Sequence, residues 1–182
     1  MRVGDLLYFA PGIRFDQVDL DGPGLPEQFR QRIEGLYILP AEECAGRHHA
    51  FAAGVLLVSC VDALARLRFG NGVGGERFKK FAREQLKSFA SGDLAERLYL
   101  EFRNGLVHEA RLKEGGQFSL DVGSTVEQLQ GLLLVNPRLL AVEVRSALDR
   151  YVALLRGEAK ELAKLAHTLR QDHAKDFLVA SA

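Results

Sequence analysis

The chain has 182 residues, 47% hydrophobic and 26% charged, and its 24 lysines and arginines are matched by 24 aspartates and glutamates. This is the composition of a soluble globular domain with length enough for a substantial core, and the zero net charge counts against a dedicated, tight nucleic-acid binder. Two cysteines exclude a disulfide framework, no apolar run reaches the ~18 residues that span a bilayer, and Met1-Arg2-Val3-Gly4-Asp5 carries no signal pattern, so a reducing cytoplasm without a membrane partner is the expectation.

Residues 1–26 read as an irregular opening punctuated by glycine and proline, with Phe15 to Leu20 alternating well enough for an edge strand. Pro26 begins a short helix through Ile38, with Glu27 in its first turn. Pro40 to Leu67 reads as one long, mostly buried helix, and its longest apolar run, Ala50 to Val61, is too short to cross a membrane. Phe69 to Gly75 is a glycine-rich loop, and Glu76 to Phe89 is a helix. Asp93 caps the next helix, which Gly115-Gly116 ends. Phe118, Leu120 and Val122 alternate with polar residues as a strand, and Gln128 to Val135 is placed to pair with it as a small hairpin. Asn136-Pro137 opens a helix to about Arg156, and a final charged helix runs from Glu158 to Val179. The expected fold is mainly all-α: one helical domain over residues 1–182, with a small two-stranded β-hairpin appendage.

Three motifs compete for the chemistry. Gly70 to Gly75 satisfies G-x-G-x-x-G, but a dinucleotide fingerprint needs a strand before it, and Val58 to Arg68 has helical spacing; an interhelical loop is the reading. Cys44, His48, His49 and Cys60 lack the paired spacing of a zinc site and read as ordinary helix residues. Ser59 and Asp62 lie near the histidines without a nucleophile elbow. No metal site and no cofactor are expected.

The helix from Asp93 is more informative. At about 100° per residue, Leu94, Leu98, Phe102, Gly105, Leu106 and Leu112 share a core face, while Arg97, Glu101, Asn104 and His108 form a polar one. Arg103 lies roughly 140° from His108, too far for contact on a bare helix. Leu100 and Val107 fall between Arg103 and Asn104 and interrupt the polar side. They mark either a seam to a second copy or a contact with another helix of the same chain. On the preceding helix, Arg77, Lys80 and Lys87, with Lys79 and Arg83 beside them, form a basic stripe. Residues 76–113 hold nine basic and six acidic side chains, a local excess of three. That stripe is either a solvated face or a track for an RNA backbone.

Arg103 and His108, five positions apart and with Asn104 directly after the arginine, resemble the R-x4-6-H signature of the HEPN superfamily. The resemblance covers roughly residues 27–156. It implies a helical bundle, and a homodimer in which the arginines and histidines of two protomers share a cleft. It also implies a metal-independent endoribonuclease that cleaves single-stranded RNA to a 2′,3′-cyclic phosphate, in the manner of toxin–antitoxin and antiviral proteins, with an antitoxin or other inhibitory partner. The residue types suit that chemistry. A histidine titrates near neutrality and can move the proton of the 2′-OH or of the leaving oxygen. An arginine stays charged and can grip a phosphorane. Asn104 is placed to orient the imidazole or bind a phosphate oxygen. Ala110 stands where a sub-group of these toxins carries a modifiable tyrosine, which puts that form of control in doubt. The alternative is a catalytically inactive HEPN-like binding or dimerisation module, with Arg103 paired to Glu101 or Glu109.

Overall fold

Helices dominate the structure, a computed structural model that describes residues 1–70, 72–105 and 115–180. The chain is mainly α, with a small β-hairpin, as its sequence pattern predicts. It divides into two compact units: Met1–Leu36 together with Leu148–Ala182, and Tyr37–Ala147.

In the first unit two tight turns build an antiparallel sheet from β1 (Arg2–Val3), β2 (Leu6–Ala10) and β3 (Ile13–Arg14). Gly4 at φ +58° and Gly12 at φ +79° make those turns, and Pro11 before Gly12 presets the second. The strand expected at Phe15 to Leu20 is not there. Phe15–Gln17 is a 3₁₀ turn that buries Phe15 and leaves Val18, three residues on, part-buried, and Leu20 is buried beyond it. Helix α1 (Leu25–Ile33) begins with Pro26 in its first turn and buries Leu25, Phe29 and Ile33.

A π-helical stretch, Glu34–Ile38, leads into α2 (Leu39–Gly46) of the second unit. The long helix expected from Pro40 to Leu67 is broken: His48 takes φ +61°, which no helix continues through, and α3 starts afresh at Ala50 and runs to Phe69. By length and composition α3 could cross a membrane; half of its apolar window is buried, and Leu57, Val61 and Leu64 are fully so. Helix α4 (Gly74–Gln85) lays Phe78, Phe81 and Ala82 into the core, and Lys87–Phe89 is a separate 3₁₀ turn. Helix α5 (Leu94–Arg97) follows Asp93, which occupies the cap position without a side-chain cap bond. The chain then continues as a π-helix over Leu98–Asn104.

The second sheet holds β4 (Gly116–Phe118), β5 (Val126–Leu129) and β6 (Leu132–Val135). Its hairpin is β5–β6, closed by Gln130 at φ +50° and Gly131 at φ +85°, a type I′ pair. The strand around Phe118 is shorter than expected and runs parallel to β6 instead of forming the hairpin with it. Asn136 is buried because its side chain accepts from the Arg138 N–H and donates to the Val122 carbonyl, which seats Pro137 at the first turn of α6 (Pro137–Gly157). Helices α7 (Ala159–Asp172) and α8 (Ala174–Ala180) replace the single closing helix, with His173 between them.

Candidate functional site

Arg103 lies near the end of the π-helical stretch, and Asp62, forty-one residues earlier on α3, holds it. The guanidinium donates from Nε at 3.3 Å and from Nη2 at 3.0 Å to the same carboxylate oxygen, Asp62 Oδ2. Its Cζ stands 5.8 Å from the Tyr99 ring centroid. The two side chains are 22% and 26% exposed, so the pair is shielded but reachable. Asp62 Oδ1 is buried and has no partner among the described residues. A π-helix is rare and occurs mostly at functional positions, because the extra residue per turn displaces side chains from the regular α-helical register.

Glu101 does not pair with Arg103. It is 4% exposed and takes Arg97, whose Nη2 lies 3.2 Å from Glu101 Oε2; a second hydrogen bond joins Nε to Oε1. Arg97 also donates to the Gly131 carbonyl at 3.0 Å and to Gln128 at 3.4 Å. Two positions of the expected polar face therefore anchor the β5–β6 hairpin to the signature segment. Gly116 completes the fit: a Cβ there would come within 2.9 Å of the Phe102 ring and 3.0 Å of Glu101.

Asn104 is half-buried at the end of the π-helix. His108, Val107, Leu106, Leu112, Glu109 and Ala110 lie outside the described residues. Leu100 is 41% exposed, so the neighbouring helices leave much of it bare.

The basic stripe separates into parts with different work. Lys79 is 12% exposed and clamped by Glu76 at 2.7 Å and Glu96 at 2.9 Å. The same contact holds the Glu76 carboxyl below its ordinary range. Arg77 donates to the carbonyls of Gly70 and Gly72, at 3.3 and 3.1 Å, and so closes the glycine loop onto α4. A Cβ at Gly75 would meet Tyr99 Cζ at 2.8 Å, so a larger residue there would make the ring shift. Helix α3 leads straight into this loop, which rules out the strand that a dinucleotide fingerprint needs. Lys80 and Arg83 are held loosely, each 3.9 Å from a carboxylate, and Lys87 is exposed. Arg77, Lys80 and Arg83 border a groove of about 550 Å³ that Phe69 and Val73 also line.

Among the described residues no three His, Cys, Asp or Glu side chains gather as a metal-ligand set. Cys60 is fully buried, and burial pushes its thiol pKa up. Asp62, Tyr99, Phe69 and Val73 were not singled out by the sequence pattern for the roles they take here. The signal for Asp62 was present: it is the lone carboxylate in the apolar α3, and such a group is rarely buried without a cationic partner.

No family model, no curated protein and no solved structure matches the chain.

Proposed function

We propose that the chain is a metal-independent endoribonuclease of the HEPN type, acting on single-stranded RNA as a cytoplasmic homodimer. The observation that carries the reading is Arg103, fixed by Asp62 and flanked by Tyr99 on a π-helical segment that leads toward His108. A fixed guanidinium stabilises charge that develops in the transition state without reorganising at that moment. In the reaction the 2′-oxygen attacks phosphorus and the bond to the 5′-oxygen breaks. His108 takes the 2′-OH proton or donates one to the departing oxygen. Arg103 neutralises the phosphorane, and Asn104 orients the imidazole or a phosphate oxygen. Exposed Leu100 and, beside it in the sequence pattern, Val107 form the seam to the second protomer. Arg77, Lys80 and Lys87 guide the strand. An enzyme of this activity requires restraint in its host, which is the place of an antitoxin or other inhibitory partner.

The second reading is a catalytically inactive HEPN-like binding or dimerisation module. One observation favours it: Asp62 already engages two of the guanidinium nitrogens. The assay that separates the two follows a panel of single-stranded RNAs with wild-type protein, Arg103→Ala and His108→Ala. The ribonuclease reading predicts cleavage by the wild type. The rate should fall by about 10²–10⁴ without the histidine and about 10²–10³ without the arginine, with both variants folded by circular dichroism. Intact RNA, or residual cleavage untouched in both variants, leaves the binding module.

A further inference from the structure

A groove runs along α4. Its volume of about 550 Å³ lies within the range of small-molecule sites. Val73, Glu76, Arg77, Lys80, Arg83 and Glu84 recur at three- and four-residue intervals, so one continuous face of α4 lines it, and Phe69 at the end of α3 closes it. Val73 is 76% exposed, apolar surface left open to water beside three cations.

The charges in the groove are unequally committed. Glu76 is offset by Lys79, whose amine is clamped. Lys80 and Arg83 have carboxylates only at 3.9 Å, and the one facing Arg83, Glu96, is already bound by Lys79 at 2.9 Å. Exposed pairs of that length contribute little, so both cations can turn to an anion at small cost. Lys80 Nζ rests 4.6 Å from the Phe69 ring centroid. When Lys80 swings toward an anion, it uncovers an aromatic face on which a planar group stacks. Glu84 then supplies an acceptor for an amino or hydroxyl group. An apolar platform, two loosely held cations and a nearby acceptor are the complement of a base, a phosphate and a ribose.

We propose that this groove binds one phosphorylated nucleoside unit, with its base against Phe69 and Val73 and its phosphate between Lys80 and Arg83. The unit comes either from an RNA strand or from a free nucleotide; the recognition chemistry is common to both. Binding here does not depend on Arg103 being catalytic.

The test is calorimetric titration of the full chain at low salt with four probes: a 2′-O-methyl RNA heptamer, which lacks the 2′-OH nucleophile, uridine monophosphate, uridine and inorganic phosphate. The heptamer, the mononucleotide or both should bind at least tenfold more tightly than uridine or phosphate. Binding of the mononucleotide assigns the groove to free nucleotides, and binding of the heptamer alone assigns it to a strand. The double variant Lys80→Glu, Arg83→Glu and the single variant Val73→Asp should each weaken that binding at least tenfold. All three positions are on exposed surface, so folding should survive. The groove variants leave Arg103 and His108 in place, so a loss of binding in them is separate from any failure of the ribonuclease reading. Phosphate binding as tightly as the nucleotide, equal affinity in the reversed variants, or no binding at millimolar probe would overturn the proposal.

Discussion

Arg103 and Asp62 state the site's logic at the scale of single residues. The carboxylate sets the direction of the guanidinium, and in doing so offsets part of its charge. Asp62→Asn keeps the shape and removes the charge. If Arg103 serves catalysis, the substitution should cost roughly 10² in rate, the usual penalty for a slightly misplaced group. The loss of stability, about 1 kcal/mol for a part-exposed pair, is the same under both readings, so an unchanged rate would make Arg103 a structural residue. Cysteine reactivity is a further residue-level check. Burial pushes the Cys60 thiol pKa up, whereas Cys44 is half-exposed, so a thiol reagent should modify one cysteine per native chain and a second only on unfolding.

At the scale of elements, the Arg97–Glu101 pair joins the signature segment to the turn of the β5–β6 hairpin. Glu101 is 4% exposed, so Glu101→Ala leaves a shielded guanidinium without its counter-ion and should cost about 3–5 kcal/mol in denaturant unfolding. A loss below about 1 kcal/mol would show that the pair is not an anchor. Leu100 makes a different prediction: Leu100→Glu should convert a dimer to a monomer by light scattering at tens of micromolar protein. A wild type that is already monomeric there would remove the proposed seam. The elements differ in how far the sequence disclosed them. Pro26, Pro137 and the glycines at the loop and turns marked boundaries, because their backbone limits act locally. The α2–α3 break did not show, since a histidine at φ +61° leaves no trace in hydrophobic periodicity. The π-helix did not show either, because it shifts register over only a few residues of an otherwise helical pattern. The parallel pairing of β4 with β6 and the pairing of Arg103 with Asp62 join residues distant in sequence, and local spacing cannot specify such partners. Arg103 and the basic stripe were therefore legible as candidates, while what holds each of them was not.

For the whole molecule, zero net charge coexists with a local basic face, so RNA affinity should be modest and strongly dependent on salt. Reversing Lys80 and Lys87 to glutamate should weaken binding and flatten the salt slope, since fewer counterions are released per bound strand. An unchanged slope would make the stripe a solvated face. The proposed RNA cleavage is tested most directly by mass spectrometry of the products from an RNA oligomer incubated with the protein in EDTA, beside its 2′-O-methyl and DNA counterparts. A ribonuclease of this type should yield RNA fragments ending in 2′,3′-cyclic phosphate, formed equally well with the chelator, and leave 2′-O-methyl and DNA oligomers intact, because neither offers a free 2′-OH. Cleavage of DNA, loss of activity in EDTA, or an RNA left whole would contradict it.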